Sequence, residues 1–80
     1  MNCFMLQLRC TMDDYPVSLH ATEAEARQAG QTLSLNQALC DASNLFGIDP
    51  SDFVSLDMIE FRDGKPIEWT MLRDVDTEPH

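Results

Sequence analysis

Few side chains in this 80-residue chain are of the types that perform nucleophilic or metal chemistry. The cysteines Cys3, Cys10 and Cys40 include no C-x-x-C pair, and their odd number leaves at least one thiol free. His20 would need co-ligands from these cysteines or from His80, and none of them stands at a spacing known for zinc sites. We therefore expect reduced cysteines, no disulfide framework and no bound metal.

Carboxylates offer the other chemistry that the sequence could support. Asp57, Glu60 and Glu68 could act as general acid and base if two strands brought them together in a cleft. Glu60 and Glu68 share strand parity, but such pairs are usually a solvated part of a sheet surface. With only three glycines the chain has no phosphate-binding glycine loop, so no cofactor is expected. We predict that the protein is not an enzyme.

Alternating apolar and polar residues predict an N-terminal β-hairpin. Within residues 2–11 the even-numbered positions from Phe4 to Cys10 carry apolar side chains, which is typical of a strand with one buried side. A second strand is predicted over 17–21, with Leu19 directed inward. A four-residue loop, Met12–Tyr15, would place Leu8 opposite Leu19.

A helical region follows this hairpin. Thr22-Glu23-Ala24-Glu25 is a capping box, so a helix begins there. Two apolar stripes on opposite sides of the helix follow: first Ala26, Ala29 and Leu33, then Leu35, Leu39, Ala42 and Phe46. We favour a break near Ser34, which could form a second capping box with Gln37, over one continuous helix with two apolar faces. Gly47 is expected to end the region.

A second hairpin is predicted over residues 54–73. Four apolar residues of equal parity indicate one buried side: Ile59, Phe61, Ile67 and Trp69. A loop of odd length keeps them on that side, and Arg62-Asp63-Gly64 provides three residues with Gly64 in the left-handed conformation. Ile59 would then lie opposite Ile67.

Together these elements predict an α+β fold of two layers. A mostly antiparallel four-stranded sheet (β-β-α-β-β) would carry one kinked or two short helices on one face. The single domain would span residues 1–73, followed by an acidic disordered tail at 74–80. The expected core consists of Phe4, Leu6, Leu8, Leu19, Ala26, Leu33, Ile59, Phe61, Ile67 and Trp69.

The opposite parity of the strands is also rich in apolar residues. The predicted interface consists of Met5, Val54, Leu56, Met58 and Leu72. A patch of roughly several hundred Å² exceeds what a small monomer usually exposes, and a second copy would stabilise so short a domain. We therefore predict a small acidic interaction module that forms a homodimer through an apolar sheet face. Trp69 as an interface anchor, instead of a core residue, is the alternative for that side chain.

Charge restricts the partners further. Fourteen Asp and Glu against five Lys and Arg give a net charge of −9, which repels phosphate backbones and anionic lipids. Neither nucleic acid nor a membrane is expected as a partner, and without an export signal we expect a cytoplasmic location. Two other functions stay open: a ligand-binding or catalytic domain with a site between sheet and helix, and an acidic decoy for a basic nucleic-acid-binding protein.

Overall fold

The computed structural model describes residues 2–74 of the chain. Its elements are β1 (Asn2–Cys10), β2 (Asp14–His20), α1 (Glu23–Thr32), α2 (Leu35–Phe46), a 3₁₀ turn (Pro50–Asp52), β3 (Phe53–Arg62) and β4 (Lys65–Asp74). The strands form one antiparallel sheet in the order β2-β1-β3-β4, with both helices on one side. The predicted α+β class is confirmed. Of the predicted tail, Asp74 ends β4, and residues 75–80 lie outside the described residues.

The helical region is divided where the capping pattern indicates. The Thr22 hydroxyl accepts a hydrogen bond from the Glu25 backbone N–H at 3.2 Å, and the Ser34 hydroxyl accepts one from the Gln37 N–H at 3.2 Å. Each bond satisfies an N–H group that the first turn of a helix leaves without a partner. Gly47 ends α2 in the left-handed conformation, with φ +69°. The predicted break near Ser34 is confirmed.

Arg73 links the end of α1 to the edge of the sheet. Its guanidinium donates hydrogen bonds to the carbonyl oxygens of Gly30 at 3.0 Å and of Leu33 at 2.8 Å. Carbonyls at the end of a helix lack intrahelical partners and lie at the negative end of its dipole. Gly30 also lets α1 approach the strands, because a Cβ there would stand 2.9 Å from Leu72 Cδ1.

The core lies between the helices and the even-numbered side of the two central strands. Leu6 pairs with Met58 and Leu8 pairs with Leu56 across β1 and β3. Leu56 is 0% exposed and Met58 is 4% exposed. The buried cluster consists of Phe4, Leu6, Leu8, Cys10, Ala26, Ala38, Ala42, Ile48, Leu56 and Met58. Five predicted core residues belong to this layer, with Leu33 partly buried: Phe4, Leu6, Leu8, Ala26 and Leu33.

The predicted orientation of the second hairpin is wrong. Its expected core side faces away from the helices, so Trp69 is 55% exposed, and Phe61 is only half-buried. Ile59 is buried, but on that same uncovered side of the sheet. Pairing with β1 decides the orientation, because the even-numbered residues of β1 form its apolar side and lie opposite even-numbered residues of β3. The reverse orientation would also place Asp57 beneath an apolar helical layer, where a carboxylate is costly.

The turn between β3 and β4 has two residues instead of the predicted three. Asp63 has φ +53° and Gly64 has φ +82°, the two positive values of a type I′ hairpin, and Arg62 pairs with Lys65. A bulge then shifts the register by one residue between the pairs Phe61–Pro66 and Glu60–Glu68. Ile59 therefore lies opposite Trp69, not Ile67, and equal parity is kept by the bulge instead of by the loop.

Gly64→Val is expected to destabilise the fold by about 1–2 kcal/mol, because a β-branched residue is strained at positive φ. Apart from the two adjacent residues, no described atom would lie within 4 Å of a Cβ at Gly64, so the backbone conformation accounts for the cost. Asp63→Asn is the control, since Asn also accepts the left-handed conformation and should cost less stability than Gly64→Val. Urea denaturation measures both, and an unchanged midpoint for Gly64→Val would contradict the turn.

The first hairpin also differs from its predicted register. β2 begins at Asp14, so the connection is shorter than Met12–Tyr15, and Leu8 pairs with Tyr15. A bulge at Val17 shifts the ladder between the pairs Gln7–Pro16 and Leu6–Ser18. Leu19 is therefore opposite Met5 on the uncovered side of the sheet, and its predicted place in the core is wrong.

Candidate functional site

The side of the sheet that the helices leave uncovered is the candidate functional site, which we call the open face. Residues directly opposite one another on neighbouring strands share a face, so the open face can be read as rows. The central row crosses all four strands and is apolar throughout: Leu19, Met5, Ile59 and Trp69. One flanking row consists of Cys3, Phe61 and Pro66, and the other of Pro16, Gln7, Asp57 and Met71.

Exposure along the central row is uneven. Leu19 on β2 is 69% exposed and Trp69 on β4 is 55% exposed, whereas Ile59 between them is buried although no helix of residues 2–74 covers it. Met71 beside Trp69 is exposed as well. The open face therefore presents large apolar side chains at both of its edges. Isolated exposed apolar residues are common on protein surfaces, but a group of them on one face of a sheet is not.

A buried carboxylate holds Trp69 in place. Asp57 is 1% exposed, and its Oδ2 accepts a hydrogen bond from the indole Nε1–H of Trp69 at 2.6 Å. Its Oδ1 accepts a bond from the Ser55 hydroxyl at 2.7 Å. Arg9 completes the cluster, with Nε donating to Ser55 Oγ at 3.1 Å and lying 3.5 Å from Asp57 Oδ2. Hydrogen bonds to a charged acceptor are strong, so the cluster restricts the orientation of the indole ring.

At the β2 edge the open face contains a shallow apolar depression of about 340 Å³. It is lined by Met5, Pro16, Val17, Ser18 and Leu19. The bulge at Val17 lies within this lining, and bulges increase the local bend and twist of a strand. The open face thus carries an exposed aromatic side chain at one edge and an apolar depression at the other.

Apart from the buried Asp57, the charged residues of the sheet lie at the end of the open face or on its other side. The last row consists of Asp14, Arg9, Ser55 and Asp74. Glu60 and Glu68 pair with each other on the side of the helices, near the Glu23–Arg27 ion pair. The central row carries no charge, although the whole chain has a net charge of −9.

The structure does not bring the predicted interface residues together on one exposed surface. Met5 alone belongs to the open face, and it is half-buried. Leu56 and Met58 are in the core, Leu72 packs against it, and Val54 is half-buried beside a register shift in β3. The hairpin orientation explains this correction, since reversing it exchanges the two sides of β3 and β4.

The other residues whose side chains could take part in a reaction do not come together in one site. Asp57 faces the open side, whereas Glu60 and Glu68 face the helices, so the three carboxylates are not assembled. His20 Nε2 lies 2.8 Å from Ser18 Oγ. Burial, together with nearby aspartates, raises the pKa of the Cys10 thiol, which disfavours the reactive thiolate.

A second group of exposed apolar residues lies at the end of α2. It consists of Leu45 and Phe46, and the exposed Met12, between β1 and β2, lines a depression with the neighbouring Gly47. The Phe46 ring contacts Tyr15 edge to face, with 5.3 Å between ring centroids, so part of this group is engaged within the chain. A groove between β2 and α2 lies nearby and is lined by Tyr15, Val17, Leu33, Ser34, Gln37, Ala38 and Asp41.

Sequence reasoning missed the Asp57 cluster. A usable signal was present, because Ser55 and Asp57 share parity with Trp69, whose indole N–H needs an acceptor when partly buried. The odd-numbered side of β3 therefore begins with two polar residues. The even-numbered side, with Leu56 and Met58, is apolar there and is better suited to pack in the core.

Searches with the chain match no family model, no curated protein and no solved structure. Neither α1 nor α2, the α-helices of residues 2–74, is long and apolar enough to cross a bilayer. Over the same residues, no three His, Cys, Asp or Glu side chains are grouped so that they could hold a metal ion.

Proposed function

We propose that this protein is a small interaction module that forms a homodimer through the open face. The observation that carries the proposal is the uncovered apolar row with Leu19 and Trp69 exposed at its ends. Burying these side chains against a second copy removes apolar surface from water, at about 25 cal/mol per Å². The exposed thiol of Cys40 suits the reducing cytoplasm, which we propose as the location.

The edges of the sheet favour contact through the face. β2 contains Pro16 and the bulge at Val17, and β4 contains Pro66 and two register shifts. Proline cannot donate a ladder hydrogen bond, and bulges interrupt the regular edge that an added strand would need. Pairing of two copies edge to edge is therefore disfavoured, whereas face-to-face packing uses the apolar rows.

The size and charge of the open face are compatible with a dimer. Four strands about 4.8 Å apart and about 30 Å long give a projected area on the order of 500 Å² per copy. Two copies would bury about 1,000 Å², at the lower end of specific interfaces. Net charges of −9 repel each other at long range, so screening by salt should strengthen the dimer.

Leu19→Glu tests the proposal. Burying an unpaired carboxylate at the interface should cost about 3 kcal/mol, or about 100-fold in the dimer Kd. Light scattering over a concentration series measures the solution mass. The emission of Trp69, the single tryptophan, should also shift to the blue as wild-type dimer forms, because its indole becomes buried.

Leu45→Glu is the matched control. Leu45 is 69% exposed, the same fraction as Leu19, and receives the same charge, but it lies on α2 away from the open face. We expect this variant to dimerise like the wild type. If Leu45→Glu dissociated the dimer and Leu19→Glu did not, the interface would lie at the end of α2 instead of on the open face. A wild-type protein that stays monomeric at hundreds of micromolar in moderate salt would overturn the homodimer.

A further inference from the structure

We infer that the two copies pack reciprocally, with Trp69 of each copy seated in the apolar depression beside Leu19 of the other. This inference rests on the proposed function and specifies its geometry. It requires that the open face be complementary to itself. The face carries an exposed aromatic residue at one edge and a depression at the opposite edge, both at the level of the central row.

A two-fold axis parallel to the strands and between β1 and β3 produces this contact. Rotation about such an axis places β4 of one copy over β2 of the other without shifting the rows along the strands. The central row Leu19–Met5–Ile59–Trp69 then faces the same row in reverse order, so Trp69 meets Leu19 and Met5 meets Ile59. The contact is isologous and closes as a dimer, because each copy supplies both partners of the pair.

The chemistry of the two sites is also complementary. The depression is lined by apolar side chains, with Ser18 as the single polar residue among them. The Trp69 ring offers a large apolar body, while its N–H is already satisfied by Asp57 at 2.6 Å and needs no acceptor from the second copy. Because Asp57 holds the ring before association, little side-chain freedom is lost on binding. The last row, which contains the charged residues Asp14, Arg9 and Asp74, lies two rows from the central row, at the rim of this contact.

A paired charge experiment tests the reciprocal contact. In a Leu19→Glu homodimer both introduced carboxylates would lie under indole rings. In a Trp69→Lys homodimer neither depression would hold an indole ring from the other copy. Each variant alone should therefore be monomeric where the wild type is dimeric. In a 1:1 mixture, one contact pairs the introduced carboxylate with the introduced ammonium group, and the other is the native Leu19–Trp69 contact. We expect heterodimer in the mixture, with an apparent Kd at least about 10-fold below that of either variant alone.

Leu45→Lys mixed with Leu19→Glu is the control for general charge attraction. Its heterodimer keeps one native Leu19–Trp69 contact but has no ammonium group opposite the introduced carboxylate, so it should be weaker than the heterodimer of Leu19→Glu with Trp69→Lys. Native mass spectrometry distinguishes the species by mass, and circular dichroism checks that each variant is folded. A second test introduces no charge: the exchange Leu19→Trp with Trp69→Leu in one chain should restore dimerisation that each single change weakens. If Trp69→Lys does not fold, the exchange variant alone tests the reciprocal contact.

The outcomes separate this inference from the proposed function. Suppose that the wild type is a dimer and Leu19→Glu is a monomer, but the mixture shows no heterodimer and the exchange variant does not recover dimerisation. This result would overturn the reciprocal packing and leave the open-face dimer intact. A monomeric wild type would overturn both. We expect a heterodimer of Leu19→Glu with Trp69→Lys that is tighter than the heterodimer of Leu19→Glu with Leu45→Lys.

Discussion

Leu56→Glu is expected to unfold the protein. Leu56 is fully buried and pairs with Leu8 in the centre of the sheet. Removing a buried leucine side chain costs about 2–5 kcal/mol, and an unpaired carboxylate in its place adds several more. A folded chain of this length has about 4–12 kcal/mol of stability in total, so the substitution removes most or all of it. Loss of the far-UV circular dichroism of the folded state measures the effect.

Leu19→Glu is the control of identical chemistry at an exposed position, and it should leave the chain folded. Leu56→Met, which keeps the volume nearly constant, should cost less than about 1.5 kcal/mol. The comparison tests the orientation of the second hairpin directly. If a Leu56→Glu variant retained the wild-type spectrum and melting temperature, Leu56 would have to be exposed to solvent, which would contradict the fold.

Asp57→Ala should have the second largest effect on the stability of the fold, a loss of about 2–3 kcal/mol. The change leaves the buried Ser55 hydroxyl without its acceptor and removes the acceptor of the Trp69 N–H. An unsatisfied buried polar group costs about 1–3 kcal/mol, and Arg9, which is about half exposed, adds little because water can solvate it. Urea denaturation followed by far-UV circular dichroism measures the loss.

Two milder variants separate the contributions. Asp57→Asn keeps one carbonyl oxygen but turns an N–H₂ group toward one of the two donors, so about 1–2 kcal/mol is expected. Trp69→Phe removes only the donor and should cost less than Asp57→Asn. In the double variant the two losses should not add, since both remove the same hydrogen bond. Additive losses would show that Asp57 and Trp69 are not coupled.

The Asp57 cluster also connects stability with the proposed interaction. Asp57→Asn should weaken the dimer as well as the fold, because the Trp69 ring is then less restricted before association. Asp57, a buried group, thus orients Trp69, an exposed residue on which the proposed dimer depends.

Local sequence was sufficient for features that depend on a few neighbouring residues. Thr22 and Ser34 determine where the two helices begin, and Gly47 where the second ends, because each acts on backbone groups within one turn. Asp63-Gly64 indicates a hairpin turn for the same reason, although the predicted length of three residues was wrong. The α+β class follows from these boundaries and from the alternation in the strands.

Tertiary structure alone decided which side of the second hairpin the helices cover. Both sides of β3 and β4 carry apolar residues, so periodicity within the hairpin does not distinguish them, and pairing with β1 selects the side of Leu56 and Met58. The bulges at Val17 and between Phe61 and Glu60 belong to contacts between strands, and each shift of one residue exchanges the faces beyond it. The open face, with Leu19 and Trp69 at its edges, exists because of these long-range pairings, which short stretches of sequence do not encode.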